Sequence, residues 1–239
     1  MFLRTIGIVS GKGGVGKTTV AINLGTHLVN GHNKSVLIMD TNVTTPHVPL
    51  HLGMESLPAT LNHVMKGEAK AIDAIYNHAS GLKVMPASLS ISSLEGVDMF
   101  RLAEVISEIR GAFSNSIDFL LLDCAPGFGR EAVAAMKSCD EMLMVTSPHM
   151  PSVMDIVRCR HFADSRGIRT LGTALNMTGR GGGELKAKDV ESITGIRVLA
   201  SIPYDKKVTK ALGSGMPVSM HSKRSKASKK IAEVAKAIL

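Results

Sequence analysis

The sequence predicts an α/β protein with a doubly wound, mostly parallel sheet flanked by helices. Three observations predict it. Short apolar runs alternate with stretches of helical period along the 239 residues, the pattern of strands covered by crossover helices. A glycine-rich turn, Gly11 to Thr19, separates the first apolar run from the first helical stretch. Two apolar runs, Ser35–Met39 and Phe119–Leu122, each end against an aspartate, Asp40 and Asp123. In such sheets ligands gather at the carboxyl ends of the strands.

Each element has its own justification. Phe2 to Val9 is apolar and β-branched, a buried strand. After the glycine turn, Val20, Leu24 and Leu28 recur every four residues, and Gly31 marks the expected helix end. Ser35–Met39 is the second strand, which places Asp40 facing the glycine turn. Residues 41–60, rich in Thr, Pro and His, read as a switch segment, followed by short helical turns at Leu61–Lys66 and Ala71–Tyr76. Leu82–Met85 is a strand, and Arg101–Phe113 is an amphipathic helix with Leu102, Val105, Ile106 and Ile109 on one face. Asp118–Asp123 is a further strand, and Pro126, Gly127 and Gly129 make a second switch-like loop. Glu141–Thr146 and Thr170–Asn176 are strands joined through a helix at Val153–Ala163, and Gly181–Gly183 reads as a flexible loop. Arg197–Ile202 is the last strand and leads into Pro203, Tyr204 and Asp205. Ala227, Ile231, Val234, Ala235 and Ile238 form one narrow apolar stripe on a lysine-rich final helix. No shift of composition marks a boundary, so residues 1–239 are expected to form one domain.

The glycine turn reads G-K-G-G-V-G-K-T-T from Gly11, which contains the pattern G-x-x-x-x-G-K-[ST]. Glycines let the backbone curl until several N–H groups point at one anion, and the following helix adds its positive end. Gly11, Gly13, Gly14 and Gly16, with Val15 and Thr19 in the same loop, are therefore candidate phosphate-binding residues. Lys17 reaches the phosphates, and the Thr18 hydroxyl is placed for Mg²⁺. Asp123, delivered by a buried strand, is a second candidate on the magnesium side, and Asp40 a third.

Composition narrows the class. No apolar run approaches the roughly 18 residues of a membrane span. The first apolar stretch leads straight into the phosphate loop rather than to a cleavage site, so a cytoplasmic protein is expected. Cys124, Cys139 and Cys159 form no C-x-x-C pair and sit far apart in the chain, as small buried thiols do. His47 and His51 lie one helical turn apart but without a third metal ligand nearby. The net charge of +8 is carried by the last 34 residues. There nine cations (Lys206, Lys207, Lys210, Lys223, Arg224, Lys226, Lys229, Lys230 and Lys236) face Glu233 alone. Such a block suits lipid headgroups or a nucleic-acid backbone, or is a solvated face.

Lys12 stands inside the loop, where the phosphate pattern requires no basic residue. The string K-G-G-x-G-K-T-T resembles the deviant Walker A motif of the MinD/ParA family of P-loop ATPases. The resemblance, closest to archaeal MinD-like proteins, continues through D-x-N at 40–42, H-L-G-M at 51–54 and G-E-A-K-A-I-D-A-I-Y at 67–76. It extends over D-F-L-L-L-D-C-A-P-G at 118–127, V-T-S-P at 145–148, L-N at 175–176 and I-P-Y-D at 202–205.

The resemblance implies an ATPase that binds ATP or ADP with Mg²⁺ and dimerises around the nucleotide. In it, Lys12 acts across the dimer on the partner's phosphates. It implies that Asn176 hydrogen-bonds adenine, that Pro203 and Asp205 line its pocket, and that Asp155 holds Lys12 in the monomer. The family usually carries a second aspartate at the first switch, which helps position the attacking water. This chain has Asn42, which cannot accept a proton, so slow hydrolysis is expected. The final helix aligns with the family's last domain helix, so its apolar stripe is expected to dock on the core rather than on a bilayer. The function implied is spatial positioning of a division site or cargo, with a regulator or cargo protein as partner. A nucleotide-locked scaffold and a DNA-partitioning ATPase stand as alternatives, and the cysteine pattern disfavours a metal-cluster carrier.

Overall fold

The computed structural model describes residues 3–239. Its elements in the first half are β1 (Arg4–Val9), α1 (Lys17–His32), β2 (Val36–Asp40), α2 (Val48–His51), α3 (Leu61–Lys66), β3 (Tyr76–Asn77), β4 (Lys83–Met85), α4 (Arg101–Phe113) and β5 (Phe119–Asp123). The second half contains α5 (Arg130–Lys137), β6 (Glu141–Thr146), α6 (Met150–Asp164), β7 (Arg169–Thr178), α7 (Ala187–Thr194), β8 (Val198–Pro203), α8 (Lys206–Gly213), α9 (Val218–His221) and α10 (Lys226–Ala237). Phe2, the first residue of the expected first strand, lies outside the described residues.

The strands form one sheet in the order β3-β4-β2-β5-β1-β6-β7-β8. All pairs are parallel except the two-residue β3 against β4. β1 lies centrally, with β5 on one side and β6 on the other, so the chain winds outward in both directions from it. That reversal places the glycine turn after β1 at the switch point where such sheets bind ligands.

Alternate residues of each strand serve opposite faces. Val36 and Ile38 join α1 and α10 in one apolar layer. Leu37 and Met39 join α3, α4, α5 and α6 in the other. Because both faces are covered, strands such as β5 are buried at every position. Ala227, Ile231, Val234, Ala235 and Ile238 are all buried in the α1 layer. The final helix is therefore a packed core helix, and only its lysine side meets solvent.

Two expectations need correction, and one contact was not foreseen. Helix α1 continues past Gly31 and stops at Asn33, whose left-handed backbone (φ 52°) lets its own N–H meet the Val29 carbonyl and the Lys34 N–H meet the Leu28 carbonyl. Asparagine tolerates that conformation because its short side chain bonds locally. The turn expected over Ala71–Tyr76 divides into a 3₁₀ turn at Ala71–Ala74 and strand β3. Cys124 and Cys139, distant in sequence, converge beside Gly7. A β-carbon built there would collide with the Cys139 sulfur and sit 3.6 Å from that of Cys124. Burial and the contact with Cys124 push the Cys139 thiol well above its usual range, the contact being the larger cause.

Candidate functional site

Gly16 precedes α1 in a left-handed conformation (φ 84°). A side chain there would also strike the Asn176 amide. Only glycine satisfies both demands, which allows the loop to fold tightly against β7. Val15 is buried beneath the loop, while Lys12, Gly13 and Gly14 are exposed on its rim. Lys17 and Thr18 open α1 and are largely buried. A curled glycine loop, a buried lysine and a helix N-terminus thus converge on one anion-sized position.

The strand ends complete the site. Asp40 and Asp123 are register partners at the carboxyl edge of β2 and β5. The Thr18 hydroxyl donates to Asp123 Oδ2 at 2.6 Å. Asp123 Oδ1 is buried and has no hydrogen-bond partner. Burial pushes both carboxyls above their ordinary range, and the Asp123 charge pushes Asp40 further. Lys17 pulls Asp123 back. A buried, orphaned carboxylate oxygen beside a hydroxyl, with a second carboxylate at the neighbouring strand end, fits a divalent cation. Thr18 and Asp123 would hold it, with Asp40 behind them.

Asp40, expected to face the phosphate loop, is occupied elsewhere. Its oxygens accept the backbone N–H groups of Asn42 (3.1 Å), His47 (3.0 Å) and Val48 (2.9 Å). It organises the first switch and borders the metal position through Asp123. Asn42 is buried in that switch, where its amide donates to the Thr45 carbonyl and its oxygen accepts the Thr45 hydroxyl at 3.1 Å. In this conformation its side chain is closed on its own turn rather than free for water.

Asp155 packs against Gly11, where a β-carbon would collide with it. Its carboxylate lies 3.6 Å from Arg158 and makes no ion pair with Lys12. The implied Lys12–Asp155 tether is absent from this conformation.

At the other end of the loop, Asn176 Nδ2 donates to the Val15 carbonyl at 2.7 Å. A cavity beyond β7 and β8 is lined by Asn176, Met177, Pro203, Tyr204, Asp205 and Ile231, among others. Asp205 borders it, but its carboxylate is engaged by helix ends. It accepts from the Lys207 N–H (2.9 Å), the Ser225 hydroxyl (2.7 Å) and the Lys226 N–H (2.9 Å). Burial pushes this carboxyl up, and those donors outweigh it, so the net shift is downward.

Two contacts escaped sequence reasoning. His51 Nε2 lies 3.3 Å from the Thr19 hydroxyl while its Nδ1 meets the His47 carbonyl, so both ring nitrogens are engaged. Glu131, at the start of α5, accepts the Thr44 hydroxyl at 2.8 Å and ties the two switch segments together. The only signal for Glu131 was the short apolar spacing of Ala132, Ala135 and Met136. Among the described residues no group of three or more His, Cys, Asp or Glu side chains is placed to hold a metal ion. No described helix is long and apolar enough to cross a membrane.

Comparison with known proteins agrees with this geometry. The profile of the family described as "ParA: NUBPL iron-transfer P-loop NTPase" matches residues 2–239. An uncharacterized ATP-binding protein of Methanocaldococcus jannaschii is 33% identical over 238 residues, covering 100% of this chain and 89% of the relative. An iron–sulfur cluster carrier protein of the same organism is 32% identical, covering 94% and 81%. The septum site-determining protein MinD of Pyrococcus horikoshii, solved with Mg-ADP, is 30% identical. It superimposes with a TM-score of 0.93 over 99% of this chain and 96% of that one. The family match over residues 2–239, the full-length similarity above 30% identity and the shared architecture together make this chain a member of the MinD/ParA family of P-loop ATPases.

Proposed function

We propose that the chain binds Mg·ATP, dimerises around it and hydrolyses it slowly, so that nucleotide state times its association with a surface or partner. The observation that carries this reading is the Thr18–Asp123 hydrogen bond beside the unpartnered Asp123 Oδ1. It sits directly against the phosphate loop. Gly11, Gly13, Gly14 and Gly16 would cradle the phosphates and Lys17 would neutralise them. A divalent cation bound there spreads the charge that develops on the γ-phosphoryl oxygens. Asn176 and Pro203 would hold the adenine in the cavity beyond β7 and β8, with Asp205 securing its wall. Water then attacks the γ-phosphate, with catalysis by positioning and charge stabilisation.

Dimerisation is supported by the exposed rim. Lys12 is exposed, and Phe128, Met150 and Met154 are large apolar side chains left to solvent. The role that fits is positioning of a division site or a cargo. Its anionic surface would meet the basic residues of 206–236, and its regulator would read the dimer. The Asn42–Thr45 closure favours, as a second reading, a scaffold that holds ATP and barely turns it over. All three cysteines are 6% exposed or less, which supports nucleotide-timed association over carriage of an iron cluster.

The test is single-turnover ATP hydrolysis with light scattering in parallel. Lys12→Ala is expected to keep ATP binding and lose the ATP-dependent dimer. Lys17→Ala is expected to weaken nucleotide binding itself. A normal ATP-dependent dimer in Lys12→Ala would refute the trans role of this lysine.

A further inference from the structure

We propose that Arg180 and Tyr204 form a clasp over the base end of the nucleotide site, in which Tyr204 meets the base and Arg180 positions the ring. The inference rests on the nucleotide reading above and assigns to that reading a recognition element for a planar heterocycle.

The cavity beyond β7 and β8 has an apolar floor from Ile202, Val208, Ala227 and Ile231. Its mouth is bordered by Tyr204, which is 43% exposed. The Arg180 guanidinium lies 4.5 Å from the centre of the Tyr204 ring, within the range of a cation–π contact. Arg180 also borders a second cavity with Lys12, Gly13, Gly14 and His149. It therefore stands between the base end and the rim of the phosphate loop.

Neither side chain is buried, so the pair adds little to the core. Yet the loop that carries Arg180 is held firmly. The Glu184 carboxylate accepts the backbone N–H groups of Gly179 (2.7 Å), Arg180 (2.6 Å) and Gly181 (3.2 Å). These donors, Gly179 first, keep the exposed Glu184 carboxyl below its ordinary range. The loop then closes onto Pro148, whose carbonyl accepts the Leu185 N–H at 2.8 Å. The expected flexible loop at Gly181–Gly183 is thus tethered by its own carboxylate.

The chain entering this loop is strained. Met177 has φ 61° without being glycine, at the point where the β7–β8 register slips between Asn176 and Thr178. Strain of this kind persists where the surroundings over-determine it, and it clusters at binding sites. Here it turns Met177 into the lining of both cavities. A fixed loop, a strained entry and a solvent-facing cation–π pair on a cavity with an apolar floor are accounted for by a flat ligand held against Tyr204. Stacking reads the π face of the base and leaves the phosphates to the glycine loop.

The experiment separates base from phosphate. Binding of Mg·ADP and of inorganic tripolyphosphate is measured by calorimetry on the full chain. The tyrosine emission provides a second readout, because the chain has two tyrosines and no tryptophan. Wild type is expected to bind ADP with a change in tyrosine emission. Arg180→Gln and Tyr204→Leu should each weaken ADP binding about 10-fold, with tripolyphosphate affinity held within about 2-fold. Arg180→Lys and Tyr204→Phe should retain more affinity than those variants, and Glu184→Gln should fall between. ADP affinity unchanged in both Arg180→Gln and Tyr204→Leu overturns the clasp while the nucleotide reading stands. A wild type that binds tripolyphosphate but gains nothing from the base overturns both.

Discussion

Thr18 and Asp123, 105 positions apart in the chain, are joined by a 2.6 Å hydrogen bond. The bond brings the first turn of α1 and the end of β5 to one point, and leaves Asp123 Oδ1 buried without a hydrogen-bond partner next to the register position of Asp40. A nucleotide-free protein bears that arrangement as a burden.

The burden is measurable through Asp123→Asn. Both carboxyls are raised by burial, so the stability they contribute is fully present below the ordinary value of 3.8. It is lost as pH rises through their raised folded-state values. Removing the charge should therefore raise Tm of the nucleotide-free protein at neutral pH, by about 2–4 °C for each kcal/mol relieved. The same variant should lose the dependence of nucleotide affinity on Mg²⁺ and hydrolyse at least ~10²-fold more slowly. A lower Tm with magnesium dependence intact would show that Asp123 is a structural carboxylate.

Asn42→Asp tests the first switch. The exchange keeps the shape but removes the donor to the Thr45 carbonyl and adds charge near Asp40. The closed turn should loosen, and single-turnover hydrolysis should rise by the ~10²-fold of a positioned acid–base group, with ATP affinity little changed. Equal rates in the two proteins would mean that another group positions the water.

Asp205 is expected to matter first for stability. It caps α8 and also takes the Ser225 hydroxyl and the Lys226 N–H at the start of α10. Asp205→Asn can keep the α8 cap but replaces the second acceptor with an NH2, leaving the Ser225 hydroxyl and Lys226 N–H without their carboxylate oxygen, and should cost about 1–3 kcal/mol. Because this carboxyl is lowered below 3.8, its contribution is present above that value and fades as pH falls through the lowered one. The Tm gap between wild type and variant should narrow on acidification. A gap constant with pH would remove the charge from the explanation.

The basic face invites a charge-reversal series. Lys223, Arg224, Lys226 and Lys229 are exposed, while Lys230 is shared with Glu233 at 2.8 Å. Attraction to acidic lipid is worth about 1 kcal/mol per cation near the surface. Reversing these five should abolish sedimentation with acidic vesicles, or retention by duplex DNA, whichever wild type shows at low salt. Wild type binding neither would make the block a solvated face.

The fold was largely legible because its strands are buried on both sides. Ile6, Leu121 and Leu143 belong to unbroken apolar runs, which in a sequence this length have few other readings. Arg101–Phe113 coincides with the helix observed, since its 13 residues carry their own period. Helices α5, α7 and α8 were not anticipated. Each has eight residues, too few turns for a period to declare itself. In the site, the phosphate loop and Asp123 were readable from local pattern. Glu131, Arg180, Tyr204 and the convergence of Cys124 with Cys139 were not. They depend on contacts between distant segments, which no spacing in the chain encodes.

Ala227 and Ile231 line the base cavity, while Lys226 and Lys229 leave the same helix on its solvent side. One helix, about 10 Å across, therefore divides the ligand from whatever rests on the charged exterior. Packed interiors are stiff, so a load that shifts the helix from outside deforms the cavity within. Thermodynamic reciprocity then fixes the bargain: an exterior that tightens nucleotide binding is itself held more tightly by the nucleotide-loaded protein, by the same factor. Were the wall to have both tenants, the affinity of each would be written into the other.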